Sequence, residues 1–209
     1  MIIAFDLDGT LSDPITGISA SLNHALRTLG YPEKDMAEMH ECIGPPLGEV
    51  FRTVFHMDDN SLITSAITLF REQYSRTGFQ ENILYPGVQD LLDYLAGKGH
   101  TLYVATNKIT AIARSVTDYF RISHYFKTVY GSGPGVTKQE ILTGIRSAEP
   151  MDRFVMVGDR SYDMEAGKLS GYCCVGVLWG YGSRRELLAA GADHLCSSPE
   201  ELGRLVTAI

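Results

Sequence analysis

The chain has no long apolar run, no excess of positive charge and no cysteine framework, and each lack removes a class of protein. No stretch approaches the ~18 consecutive apolar residues of a membrane-spanning helix. The opening residues carry neither the basic start nor the small-residue cleavage site of a secretory signal, and their apolar run stops at Asp6. A formal net charge of -7 argues against a nucleic-acid polymer or an anionic membrane as the main partner. The four cysteines, Cys42, Cys173, Cys174 and Cys196, show neither CxxC spacing nor a disulfide pattern. The expected compartment is a reducing cytoplasm. The six histidines lack metal-ligand spacing, and no GxSxG, P-loop, internal repeat or low-complexity tract is present.

What is present begins at once. Ile2-Ile3-Ala4-Phe5 is long enough for one buried strand and ends in Asp6-Leu7-Asp8-Gly9-Thr10-Leu11. Pro14 to Gly78 reads as helices only. Ile18, Leu22, Ala25, Leu26 and Leu29 share one face; Leu47, Val50, Phe51 and Val54 share another; Leu62, Ile63, Ala66, Ile67 and Phe70 form a third. Gly44-Pro45-Pro46 marks a turn between the first and second stripes. After Tyr85-Pro86-Gly87, strands and helices alternate. Thr101–Thr106, Tyr125–Tyr130, Phe154–Asp159 and Cys173–Leu178 read as strands, and Lys138–Arg146 as a helix. Ser198-Pro199-Glu200-Glu201 predicts a capped helix start.

Alternation of this kind implies α/β architecture, a parallel doubly wound sheet covered on both faces. The helical block then reads as an insertion after the first strand. The expected division is a core of residues 1–14 and 80–209 and a helical cap of residues 15–79.

In such a sheet, ligands bind beyond the carboxyl ends of the strands. There the sequence sets Asp6 and Asp8; Thr106-Asn107-Lys108; and Gly158-Asp159 with Asp163 four residues on. Lys138 stands near a helix start after the loop Gly131-Ser132-Gly133-Pro134-Gly135. Four aspartates on one rim raise each other's pKa unless a cation sits among them, and an all-oxygen site with room for water suits Mg²⁺. These groups match the needs of phosphoryl transfer. Asp6 is the candidate nucleophile, and Asp8 the candidate acid and base for the leaving alcohol and the attacking water. Thr106 and Lys138 supply a hydroxyl and a cation for the phosphoryl oxygens. Asp159 is a candidate metal ligand, and Asp163 a ligand directly or through water. Gly9 and Thr10 let the chain turn, with backbone N–H groups near the phosphate. Asn107, Lys108, Arg52 and Arg160 are candidate substrate contacts.

Each residue also has an ordinary reading. Thr106 and Asn107 could cap the next helix, Lys138 and Lys108 could be solvated lysines, and Asp163 could be an acid favoured by a helix dipole. The ordered set is what outweighs them.

That set resembles the haloacid dehalogenase (HAD) superfamily. Asp6-Leu7-Asp8-Gly9-Thr10-Leu11 is similar to its DxDGT motif, Thr106 to its second-motif hydroxyl, Lys138 to its third-motif lysine, and Gly158-Asp159 with Asp163 to its GDxxxD motif. The resemblance implies a Rossmann-like core with a helical cap inserted after the first motif. It also implies a metal held by the Asp6 side chain, the Asp8 backbone carbonyl and Asp159. Asp8 points to phosphate chemistry, since the dehalogenase branch typically lacks that second aspartate. Ile43-Gly44-Pro45-Pro46-Leu47, Thr106-Asn107-Lys108, Val157-Gly158-Asp159-Arg160 and residues 176–183 are similar to the phosphoglycolate-phosphatase-like and 5′-nucleotidase-like group.

The expected function is therefore Mg²⁺-dependent hydrolysis of a small phosphate monoester by a monomer or homodimer. A phosphomutase or pyrophosphatase on the same fold is the alternative. A phosphate-accepting signalling module is more remote, because such domains accept phosphate after their third strand and lack a helical insertion.

Overall fold

The computed structural model describes residues 1–133 and 135–209. It divides into two compact units, Met1–Asp13 with Leu84–Ile209, and Pro14–Ile83.

The first unit is built on six parallel strands in the order β5-β4-β1-β6-β7-β8. These are β1 (Ile2–Phe5), β4 (Thr101–Ile109), β5 (Phe126–Ser132), β6 (Phe154–Gly158), β7 (Cys173–Val177) and β8 (His194–Cys196); two short strands, β2 (Ser12–Asp13) and β3 (Ile83–Leu84), lie outside this sheet. β1 is central. Ile2 is level with both Thr101 and Phe154, and Phe5 with both Val104 and Val157. Its four residues are wholly buried, as a strand covered on both faces must be.

Alternation along the strands sorts their side chains between the two faces. Ile2, Ala4, Tyr103, Ala105, Phe154, Met156 and Cys174 join Ile141, Leu142 and Ile145 of α6 (Lys138–Ala148) and Met164 and Ala166 of α7 (Ser161–Leu169) in one cluster. Ile3, Phe5, Leu102, Val104, Val155, Val157, Val175 and Val177 point the other way and are equally buried. Each large apolar side chain so buried contributes about 1.5–3 kcal/mol against exposure. The remaining helices of this unit are α4 (Val88–Gly97), α5 (Thr110–Tyr119), α8 (Arg184–Ala189) and α9 (Pro199–Ala208). At α9, Ser198 Oγ accepts from Glu201 N at 3.2 Å with Pro199 at the first position, as the sequence predicts.

The second unit holds α1 (Ile15–Thr28), a 3₁₀ segment (Met36–Cys42), α2 (Leu47–Thr53) and α3 (Asn60–Arg76). Its core is made by Leu22, Leu26, Met39, Val50, Phe51, Ile63, Phe70 and Tyr74. Asp59 caps α3 by accepting from Ser61 N at 2.7 Å. Gly17 is required where α1 meets Gly78, since a Cβ there would lie 2.0 Å from the Gly78 carbonyl oxygen.

Three sequence expectations are corrected. Thr106-Asn107-Lys108 does not follow the strand but lies within β4, whose pairing to β5 is interrupted after Thr106 and resumes at Ile109 with Ser132. The polar residues hide a strand that continues through a bulge. β8 goes beyond the sequence expectation: three residues at a sheet edge, two half-buried and Cys196 buried, carry too little periodicity to be seen. β5 runs two residues further than Tyr130, to Ser132. Of the loop expected at Gly131–Gly135, Pro134 lies outside the described residues. The cysteines are free, with Cys42, Cys174 and Cys196 buried. Among the described residues no helix is long and apolar enough to cross a membrane.

Candidate functional site

The parallel sheet brings the ends of β1, β4 and β6 to one rim. Asp6 follows β1 and is held in line by its N–H, which donates to Val157 O at 2.9 Å. Lys138 opens α6, where Thr137 and Glu140 form a capping box: Glu140 N donates to Thr137 Oγ1 at 3.2 Å and Thr137 N to Glu140 Oε2 at 2.7 Å. From there Lys138 Nζ reaches Asp6 Oδ1 at 2.8 Å and also bonds Asp163 Oδ1. This lysine is buried with both partners, so it is not a solvated one. Burial opposes its charge, but the Asp163 and Asp6 carboxylates outweigh that and hold its pKa above the usual lysine value.

Asp163 sits in the first turn of α7, where its Oδ2 accepts from Arg160 N at 3.0 Å. Burial, reinforced by Asp6 and opposed by Lys138, pushes its carboxyl up to about 6. Asp159 follows β6 and is fully buried. Its Oδ1 accepts from Thr10 Oγ1 at 3.2 Å and its Oδ2 from Tyr181 N at 2.8 Å. Burial, then Asp163 and Asp6, raise it well above the ordinary aspartate value.

Asp8 pairs with Lys108, whose Nζ lies 2.8 Å from Asp8 Oδ2 with only 8% of the lysine side chain exposed. The solvated reading of Lys108 is therefore corrected. Burial raises the Asp8 pKa in spite of that cation, and Asp8 Oδ1 is buried without a hydrogen-bond partner among the described residues. Thr106 is buried too, its Oγ1 accepting from Lys108 N at 3.3 Å. It does not cap the next helix, which begins at Thr110 with Ile109 before it. Asn107 lies between them, its carbonyl accepting from Ser132 Oγ.

Gly9 adopts φ +84°, and a Cβ there would lie 2.2 Å from Asp159 Oδ2. Only glycine allows both the turn and the close approach. The N–H groups of Gly9 and Thr10, expected near a phosphate, are engaged inside the turn with Ser12 O and Leu7 O.

The side chains of two other expected contacts pair with neighbours in their own unit. Arg52 belongs to the helical unit, where it donates to Gly48 O and to Asn60 Oδ1 at 3.0 Å. Arg160 turns to Glu186, its Nε 2.9 Å from the carboxylate that also accepts from Ser161 N at 2.9 Å. Those two donors hold Glu186 below the usual glutamate pKa although burial opposes it. Sequence reasoning missed Glu186, since one acid in a polar stretch gives no signal. It also missed the contacts of Trp179 and Tyr181, for they depend on how a loop folds back.

The carboxylates suit a divalent cation. Asp6, Asp159 and Asp163, all buried, offer oxygens within 4.8 Å of one another. With Asp8 they make four carboxylates against the ammonium groups of Lys108 and Lys138, leaving two excess negative charges when all are ionised. Burial first, and then the neighbouring carboxylates, raise the pKa values of Asp159 and Asp163. An all-oxygen donor set is what Mg²⁺ takes.

The sheet and its flanking helices define a doubly wound, Rossmann-like α/β protein with an inserted helical unit. The family of haloacid dehalogenase-like hydrolases matches residues 3–177, and the chain belongs to that family. It is 38% identical over 200 residues to a 5′-nucleotidase of Pseudomonas aeruginosa, covering 93% of this chain and 90% of that one. It is 37% identical over 188 residues to the tyrosine-protein kinase PtkA of Mycobacterium tuberculosis, covering 87% of this chain and 63% of the relative. Among solved structures, a predicted phosphatase from Clostridium acetobutylicum superposes with a TM-score of 0.93 at 30% identity, over 100% of this chain and 98% of that one. The protein is thus an enzyme of the hydrolase class.

Proposed function

We propose that the protein is a Mg²⁺-dependent phosphatase that hydrolyses a small phosphate monoester, a nucleoside 5′-monophosphate or a phosphoglycolate-like compound, through an aspartyl-phosphate. The observation that carries this reading is the division of labour between the two first-strand aspartates. Asp6 lies against the Lys138 ammonium, as suits a nucleophilic carboxylate, whereas burial raises the pKa of Asp8, as a proton carrier requires.

An oxygen of the Asp6 carboxylate attacks phosphorus, the bond to the ester oxygen breaks, and Asp8 gives its proton to the departing alcohol. Water then attacks the phosphorus of the aspartyl-phosphate and yields its proton to Asp8. Inorganic phosphate leaves, the Asp6 carboxylate is restored, and Asp8 is again protonated. Thr106 supplies a hydroxyl for the phosphoryl oxygens and Lys138 a positive charge. Mg²⁺ would be held by Asp6 and Asp159, by the Asp8 backbone carbonyl as in the family, and by Asp163 directly or through water; bound there, it neutralises the carboxylates and the charge on the phosphoryl group. Lys108 keeps Asp8 in place, and Asn107 stands beside it as a further substrate contact. The inserted helical unit, with Arg52, serves as the cap that recognises the leaving group.

The similarity to PtkA supports a second reading, transfer of the same phosphoryl group to a hydroxyl other than that of water. A phosphomutase is that reaction within one substrate, and a pyrophosphatase is hydrolysis with phosphate as leaving group.

The test is release of inorganic phosphate from a panel of nucleoside monophosphates, phosphoglycolate, pyrophosphate and sugar phosphates, with and without Mg²⁺, alongside Asp6→Asn. Free phosphate that needs both Mg²⁺ and Asp6 supports hydrolysis. An isomerised sugar phosphate or a phosphorylated tyrosine without free phosphate selects transfer. Activity that survives both metal removal and Asp6→Asn overturns the mechanism.

A further inference from the structure

One loop touches this site from outside the four motifs. Residues 178–183 connect β7 to α8, and Ser183 fixes the far end by accepting from Glu186 N at 3.1 Å. Between those ends the loop is attached through Trp179 and Tyr181. The indole N–H of Trp179 donates to Thr10 O at 3.0 Å. The backbone N–H of Tyr181 donates to Asp159 Oδ2 at 2.8 Å. The Tyr181 hydroxyl bonds Asp13 Oδ1.

The glycines of the loop allow it to lie this close. A Cβ on Gly180 would stand 2.2 Å from Gly9 O and 2.5 Å from Asp159 Oδ2, and one on Gly182 only 1.8 Å from Asp159 O. Gly9 also approaches Asp159 closely, with a hypothetical Cβ 2.2 Å from its Oδ2. Asp159 is thus enclosed between the turn after β1 and the loop after β7, and its Oδ2 receives one fixed donor from that loop. Carboxylate orientation is what a ligating aspartate must have settled in advance, because such partners fix the ligand's geometry.

We propose that loop 178–183 is a positioning element for the metal-facing carboxylate, with Trp179 as its anchor and Tyr181 as the donor to Asp159. The anchor works by tying the loop to the same turn whose Thr10 hydroxyl holds the other oxygen of Asp159. Trp179 touches neither substrate nor metal in this account. The inference rests on the proposal that Asp159 holds Mg²⁺.

Trp179 is the only tryptophan in the chain, so it is also a reporter. Mg²⁺ binding to metal-stripped wild type and to Trp179→Phe is measured by calorimetry, and the emission of the wild-type protein is followed in a parallel Mg²⁺ titration. Losing the indole donor should weaken Mg²⁺ binding about 10-fold. At saturating Mg²⁺, kcat should recover and the substrate KM should stay unchanged. A residue that merely stabilises the fold would lower the melting temperature of the metal-free protein and leave Mg²⁺ affinity untouched; that outcome overturns the proposal. If Trp179→Phe does not fold, the wild-type emission decides: a change with the calorimetric midpoint supports the loop's role, and no change while calorimetry records binding refutes it. Wild type that binds no Mg²⁺ refutes the metal site itself, and this inference with it.

Discussion

Lys108 Nζ lies 2.8 Å from Asp8 Oδ2 although the two are a hundred residues apart in the chain, and both side chains are almost wholly out of solvent. The pair sets the proton affinity of Asp8. Burial raises the carboxyl and Lys108 draws it back down, the first influence being the larger. Lys108→Met removes the opposing influence, so the Asp8 pKa rises further. As the proposed acid, Asp8 must be protonated when the alcohol departs. The descending, high-pH limb of the kcat profile should therefore move to higher pH in Lys108→Met. A limb that stays in place, or moves down, separates Asp8 from the proton transfer.

Lys138 has the opposite task in the proposed mechanism, where the Asp6 nucleophile acts as a carboxylate. Removing one member of a buried ion pair leaves the other uncompensated and costs about 3–5 kcal/mol. Lys138→Ala leaves Asp6 and Asp163 in that state. Denaturant unfolding of the metal-free variant should show this loss at pH 7 and a smaller one at pH 5, where the freed Asp163 carboxyl takes up a proton. An equal loss at both pH values counts against the ion pairs as the cause. Phosphate release should fall by several powers of ten and should not be restored by Lys138→Arg, whose planar fork is longer and differently shaped.

The carboxylates also make the metal-free protein dependent on pH. The folded-state pKa of Asp163 is raised from 3.8 to about 6, so between those values the folded chain holds a proton that the unfolded chain releases. More protons on the folded side mean stability that falls as pH rises through this window. The shift corresponds to about 3 kcal/mol at most for this group, and Asp159 acts in the same direction. Mg²⁺ competes with those protons, so it should raise the melting temperature more at pH 7 than at pH 5. Thermal unfolding across that range, with and without Mg²⁺, checks it; a Mg²⁺ effect independent of pH, or larger at pH 5, contradicts the carboxylate site.

The sequence made the sheet legible because β1, β6 and β7 are apolar runs that end where polar residues begin, and strand ends are where a parallel sheet puts its chemistry. Asp6, Lys138, Asp159 and Asp163 could be grouped on that basis without coordinates. Lys108 stands on the same rim in the sequence, but its pairing with Asp8 could not be read there, because the register shift in β4 is a feature of pairing and not of periodicity. The same holds for Trp179 and Tyr181. Their hydrogen bonds to Thr10 and Asp159 join segments about 170 and 22 positions apart, through a loop with no apolar pattern to follow. The N–H groups of Gly9 and Thr10, expected near a phosphate, also bond Ser12 O and Leu7 O within the turn, which no sequence pattern reveals.

Gly9 offers the sharpest steric test. Its φ of +84° disfavours any side chain, and a methyl group there would stand 2.2 Å from Asp159 Oδ2, inside any permitted contact. Gly9→Ala must therefore either push Asp159 away or open the turn that Thr10 and Leu11 close onto Leu7 O. Both routes disturb the carboxylate proposed to hold the metal, and the left-handed backbone alone costs about 1–2 kcal/mol. The expected outcome is a protein that still folds, melts several degrees lower, and loses Mg²⁺ binding together with phosphate release. Gly30 is the internal comparison. It has φ +78° with nothing within 4 Å of the place a Cβ would occupy, so Gly30→Ala should carry the backbone cost alone and keep both Mg²⁺ binding and activity. Calorimetric Mg²⁺ titration of the two variants side by side separates strain from collision, and equal Mg²⁺ affinities in both would show that Gly9 does not control where Asp159 lies.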